Sequence, residues 1–104
     1  MPRLDWLRTE LSSYYLYQHQ IVLTHILPQD SRYPAEFSTA YRAALTDNFA
    51  SLLIGGHYHQ HGYVEETLTN GEPIGYLATG TLKERGYVVV TVEAERVTIE
   101  RLVF

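Results

Sequence analysis

The 104-residue sequence contains no cysteine. That excludes disulfide frameworks, Cys-based zinc fingers, iron–sulfur clusters and cysteine nucleophiles. Basic residues are few: 8 Lys+Arg stand against 12 Asp+Glu, for a formal net charge of −4. A protein that tracks nucleic-acid phosphates normally shows a basic face, so nucleic acid is not an indicated partner. Long apolar runs are also missing. The run from Tyr87 to Val90 is far too short to cross a bilayer. Residues Met1 to Trp6 lack the apolar stretch of a secretory signal, and Asp5 and Glu10 do not suit a transit peptide. The expectation is a soluble, cytoplasmic chain with no membrane partner. Several catalytic templates are absent too: no Gly-x-Ser-x-Gly elbow, no Walker loop, no Gly-x-Gly-x-x-Gly and no His-Glu-x-x-His.

What is present is globular in character, with 45% hydrophobic and 19% charged residues. The length suits a single domain spanning 1–104, large enough to bury a core without staples. The surplus residues are 5 His and 9 Tyr, and the histidines cluster.

Periodicity orders the chain. Leu4, Leu7, Leu11 and Tyr14/Tyr15 recur at three- and four-residue spacing and predict an amphipathic helix over 3–17. Ile21-Val22-Leu23-Thr24 is a short β-branched and apolar run that suits a buried strand, stopped at His25 before Pro28. After a polar loop over 28–34, Phe37, Tyr41, Ala44 and Leu45 stripe a second helix over 35–47, with Asn48 as a left-handed stop. Leu52-Leu53-Ile54 then forms a second apolar strand ending at Gly55-Gly56. This order predicts two parallel neighbouring strands joined by a crossover helix. Further on, 74–79 reads as a strand. Tyr87–Val92 and Val97–Val103 flank the polar Glu93-Ala94-Glu95-Arg96, which predicts a hairpin. Glu65-Glu66 and Glu93/Glu95 read as solvated loop positions. The fold class expected is α/β (α+β), a mixed sheet with two helices and a C-terminal β-hairpin.

Chemistry concentrates in Gly55-Gly56-His57-Tyr58-His59-Gln60-His61. Residues two apart in an extended segment point to one side. If the loop stays extended, His57, His59 and His61 share a side. Neutral imidazole is a common ligand for divalent transition metals, and the glycines allow the backbone to approach an ion closely. His25 ends the first strand as His57 follows the second. Parallel pairing puts both at one carboxyl edge, where open α/β sheets collect ligands. Each feature has a plainer reading: a histidine after a strand is commonly a polar rim residue, and a His-x-His-x-His tract is also a solvated turn. Tyr58, between two candidate ligands, is expected to point away from the metal side and to pack. His19 has no such placement.

In sequence order, four segments carry a resemblance. Leu4-Asp5-Trp6-Leu7 with Leu11, Ile21-Val22-Leu23-Thr24-His25, Leu52-Leu53-Ile54-Gly55-Gly56-His57-Tyr58-His59, and Ile74–Gly80 with the final hairpin together resemble the C-terminal half of the calcineurin-like metallophosphoesterase family. The resemblance implies about one half of that family's β-sandwich. It also implies a two-metal phosphoester hydrolase site with divalent ions of the Mn, Fe, Zn or Ni class. His25 and His57 would ligate one ion and His59 the other, with His61 a spare. Two metal ions make bound water a nucleophile and stabilise charge on phosphoryl oxygens.

The family's first half supplies an Asp-x-His, a Gly-Asp segment and a Gly-Asn-His. None of these occurs in this sequence, nor does any other Asn-His pair. No catalytic residue is therefore assigned in this chain, and the resemblance implies a phosphate-ester hydrolase that is weakly active or inactive alone. The sheet face that meets the first half would be bare, which predicts a homodimer or a complex with a chain carrying that half. Two other functions fit the same residues. One is a non-catalytic scaffold derived from the fold, as in the family's retromer subunit. The other is a mononuclear metal site of His25, His57 and His59, with His61 as a further candidate ligand, for which no carboxylate is evidently placed to orient the rings.

Overall fold

In a computed structural model, residues 2–14, 19–67, 73–81, 83 and 85–104 are described. Helix α1 (Leu4–Ser13) precedes strand β1 (Gln20–Thr24), helix α2 (Ala35–Thr46) and strand β2 (Ala50–Gly55). Strands β3 (Gly62–Thr67), β4 (Pro73–Ala78), β5 (Gly86–Val92) and β6 (Val97–Val103) follow. The expected helix positions Tyr15, Leu16 and Tyr17 lie outside the described residues.

One sheet has the order β1-β2-β4-β3, and a separate two-stranded sheet is the β5–β6 hairpin. β1 pairs parallel with β2, as the crossover through α2 requires. β2 pairs parallel with β4, and β4 antiparallel with β3. The protein is thus mixed α and β, with two helices, a mixed sheet and an antiparallel hairpin.

The helical stripes bury as their spacing predicts. Leu7 and Leu11 of α1 and Tyr41, Ala44 and Leu45 of α2 pack with Ala50, Leu53, Ile74 and Tyr76 of the sheet. Phe37 and Leu4 add partly buried contact. Fully burying a side chain of Leu size contributes about 1.5–3 kcal/mol, so this face supplies most of the stabilisation. Helix α2 ends differently from the expectation. Asn48 uses its side-chain amide to donate to Ala44 O (2.8 Å), and the left-handed residue is Phe49, at φ 65.

β3 was not expected at all. Glu65 and Glu66 belong to it rather than to a loop: Glu66 accepts from Arg42 at 2.8 Å across to α2, and Tyr76 donates to it at 3.4 Å. The second face of the sheet is unevenly covered. Leu52 and Leu77 are buried there, and Leu52 borders a cavity of about 540 Å³ bounded also by Tyr63, Gly75 and the β5–β6 turn. His19 fastens that turn to the sheet, bonding Ser51 Oγ at 3.1 Å and Glu93 O at 2.8 Å. At the β1 edge cover runs out, leaving Leu23 76% exposed. Among the described residues, no helix is long and apolar enough to cross a membrane.

Candidate metal centre

Thr24 and Gly55 are the last paired residues of the parallel β1–β2 ladder. Beyond them the chains stay together, because His57 N–H donates to His25 O at 3.1 Å. β4 joins the same edge through Thr79 N–H to Gly55 O at 3.0 Å. Gly55 has a steric role here. A Cβ on it would stand 2.9 Å from Leu27 Cδ2, so glycine lets the loop after His25 fold down onto the strand end. Gly56 has no comparable neighbour, since a Cβ there would meet only Thr79 Oγ1 at 3.8 Å.

This edge brings the two expected histidines together. His57 Nδ1 lies 3.0 Å from His25 Nε2, with the rings edge to face at 81° and centroids 4.8 Å apart. The loop over 26–33 closes on them. Asp30 accepts from its own chain two residues on (Arg32 N–H, 3.0 Å) and from Arg32 Nε at 2.8 Å. Its other oxygen accepts from Tyr58 Oη at 2.9 Å, and Tyr58 Oη accepts in turn from Leu27 N–H at 3.0 Å. Arg32 Nη2, so held, reaches His57 Nε2 at 2.9 Å. The backbone N–H of Arg32 holds the Asp30 carboxyl below the usual range, helped by the Tyr58 and Arg32 side-chain bonds and opposed by burial. Burial and the bond to Asp30 push the Tyr58 phenol up.

Proton positions follow from these partners. A guanidinium only donates, so His57 Nε2 accepts and the neutral ring carries its proton on Nδ1. That proton points to His25 Nε2. The result is one chain of hydrogen bonds, Asp30–Arg32–His57–His25.

The other two histidines part company with this pair. His59 sits at φ 56 within a turn, and its side chain is exposed. A left-handed residue breaks the two-residue alternation, so His57, His59 and His61 do not share a side as an extended loop would make them. His61 stands at the entrance to β3, its Nδ1 buried with no hydrogen-bond partner, beside a cavity of about 210 Å³ lined also by Thr79, Gly80 and Arg101. Among the described residues, no group of three or more His, Cys, Asp or Glu is placed to hold a metal ion.

Among the described residues, the donor set therefore falls short of a metal site. Ligand nitrogens lie about 2.0–2.1 Å from a zinc ion, so two of them at a tetrahedral angle stand about 3.3–3.4 Å apart; His25 and His57 are closer, at the 3.0 Å of the hydrogen bond between them. Among the described residues, a third donor is not brought to them. The nearby carboxylate, Asp30, is committed to Arg32 and Tyr58. Sequence reasoning missed Asp30, Arg32 and Tyr58 as a supporting group. The Asp-x-Arg turn had a sequence signal, since Asp commonly bonds the backbone two residues on, but nothing local announced its reach to His57. No family model matches this sequence, and no curated protein matches it significantly.

Proposed function

We propose that this chain is the C-terminal, metal-ligating half of a calcineurin-like phosphoesterase domain, about half of that β-sandwich, and acts on phosphate esters only when its first half is supplied. The observation that supports this most directly is the meeting of His25 and His57 at the carboxyl ends of two parallel neighbouring strands, ring nitrogens 3.0 Å apart. His25 and His57 would hold one divalent ion of the Mn, Fe, Zn or Ni class. His59, which the resemblance assigns to a second ion, is exposed on the following turn and would serve only in the completed site. When bound, such ions polarise phosphoryl oxygens and lower the pKa of water. The chain's own contribution is to fix the two imidazoles, through Gly55, Leu27 and the Tyr58–Asp30 bond. The proposed compartment is the cytoplasm, in keeping with a chain that has no cysteine to cross-link.

A second chain is part of this reading. Val22 faces the helices, so Ile21 and Leu23 face the other way, and they are 38% and 76% exposed. That apolar strip, on an edge strand, is the proposed seat of the first half or of a second copy.

The test is zinc or manganese titration of untagged protein by calorimetry, beside His25→Ala and His57→Ala. Binding that both substitutions abolish supports the proposal; binding that survives His57→Ala overturns it. Light scattering over a concentration series tests association, and a stable monomer throughout leaves only a separate chain as partner.

A further inference from the structure

Three adjoining cavities lie between the second face of the main sheet and the β5–β6 hairpin. The middle one, about 310 Å³, has His61, Tyr63 and Glu65 on one wall and Val97, Ile99 and Arg101 on the other. Residues two apart in an extended chain share a face, so each wall is one side of a strand or its approach. The neighbouring cavities show how the walls are matched. The one of about 210 Å³ also touches His61 and Arg101, and the one of about 540 Å³ touches Tyr63, Glu65 and Val97. His61 and Arg101 therefore stand at one end of the middle cleft, and Glu65 stands at the other.

The two ends differ in charge. The Arg101 guanidinium lies beside Gly86, where a Cβ would stand 3.8 Å from its Nε and Nη2. Among the described residues it has no ion-pair partner, and Glu100, next in the chain, belongs to the opposite side of β6. His61 Nδ1 is buried without a hydrogen-bond partner. An orphaned buried N–H is rarer than an orphaned acceptor, so the neutral ring carries its proton on Nε2 and donates from there. At the far end, one Glu65 oxygen accepts from Tyr63 Oη at 3.0 Å. Glu95 borders the adjoining cavity, and Arg96 there is paired with Glu93. The span between is apolar: Val97, Ile99 and the Tyr63 ring, which occupies the space a Cβ on Gly75 would need.

Glu65 and Arg101 thus share a cleft without pairing across it. Four residues separate His61 from Glu65, about 13 Å of extended chain, and the side chains reach inward from both ends. An α-amino acid carries its ammonium and carboxylate on one carbon and cannot meet both. We propose that this cleft binds a short linear zwitterion, with its carboxylate on Arg101 and His61, its ammonium on Glu65 and its apolar span across Tyr63 and Ile99. An ω-amino acid and an apolar dipeptide both have this form. The inference does not draw on the phosphoesterase reading, and its test leaves that reading untouched.

The experiment is a titration of the nitrogen-15-labelled chain, following amide shifts in β3 and β6. The probes are 6-aminohexanoate, hexanoate, hexylamine and leucine, with the dipeptide leucyl-leucine alongside. In wild type, 6-aminohexanoate should bind about 10-fold more tightly than hexanoate or hexylamine, each of which forgoes one charged hydrogen bond. Leucine should bind more weakly than 6-aminohexanoate. Arg101→Gln should weaken 6-aminohexanoate and hexanoate by about 10-fold and leave hexylamine unchanged. Glu65→Gln should weaken 6-aminohexanoate and hexylamine and leave hexanoate unchanged. Both side chains are exposed, so both variants should keep the wild-type fold, which the unperturbed amide spectrum of the core checks.

Tighter binding by leucyl-leucine than by 6-aminohexanoate assigns the site to peptides, and the reverse order assigns it to ω-amino acids. Binding by neither overturns the inference. Equal affinity for 6-aminohexanoate, hexanoate and hexylamine also overturns it, because the two ends are then not read together. Variants that weaken all three alike do the same, since the cleft would then be selecting apolar length alone.

Discussion

Tyr58→Phe removes one oxygen and tests how the loop over 26–33 is held. In the wild type that oxygen accepts from Leu27 N–H at 3.0 Å and donates to Asp30 at 2.9 Å. The ring stays, so packing is unchanged and only the two bonds are lost. A neutral bond is worth about 0.5–1.5 kcal/mol net, and one to a charged group about 1.5–3 kcal/mol. Tyr58 and Leu27 are only half-buried, and water can replace part of what is lost, which sets the expected cost near the lower sum, about 2 kcal/mol. For a domain of this size each kcal/mol lowers Tm by about 4–8 °C, so the variant should melt roughly 8–16 °C lower. Urea unfolding should show the same loss with an unchanged m-value, since the surface exposed on unfolding is the same. Hydrogen exchange localises the effect: the Leu27 amide should lose protection in the variant while Leu53 and Tyr76 in the core keep theirs beyond the global change. A Tm within about 1 °C of wild type, with Leu27 exchange unaltered, would refute the claim that Tyr58 fastens this loop.

Gly55→Ala should destabilise by about 1–2 kcal/mol in urea unfolding, because its Cβ meets Leu27 Cδ2 at 2.9 Å and Cγ at 3.2 Å. Gly56→Ala is the control and should fall within about 0.5 kcal/mol of wild type; equal effects would show that Leu27 is not the reason for the first glycine. Burial, with the Glu65 hydrogen bond and charge, pushes the Tyr63 phenol from 10.0 up to about 12. The native state therefore holds this proton more tightly than the unfolded chain. The corresponding stability is complete below pH 10 and is lost as pH rises toward about 12. Phenolate absorbance should show a late-titrating tyrosine that Tyr63→Phe removes and Glu65→Gln brings earlier; a titration indifferent to both would contradict the contact.

The parallel pairing of β1 and β2 was legible because Ile21–Thr24 and Leu52–Ile54 are short apolar runs with a striped helix between them. The pairing in turn foretold that His25 and His57 would meet. β3 was not legible. Tyr63, Val64 and Glu65 are exposed and Glu66 pairs with Arg42 rather than packing, so neither face carries an apolar alternation to read. The alternation of His57, His59 and His61 was present in sequence but described an extended chain that the left-handed His59 does not allow. The Asp30, Arg32 and Tyr58 group escaped notice for a different reason. Beyond the local Asp30–Arg32 turn, its bonds join residues 25 to 31 positions apart, and only the folded strand edge brings those together.

The incompleteness of the site and the bareness of the sheet lie side by side. Leu23, the most exposed apolar side chain of β1, is two residues from His25 and on a strand that is an edge of the sheet among the described residues. Under the proposed function, a surface that covers Leu23 also arrives next to the two imidazoles, so cover and missing ligands come from one source. Binding linkage then has a definite sign. Whatever factor the second chain adds to metal affinity, the metal must add to association. Under the proposed function, metal and partner would thus each bind more tightly in the presence of the other. That mutual dependence would distinguish a half-domain awaiting its complement from a scaffold, in which partner binding would be indifferent to His25 and His57.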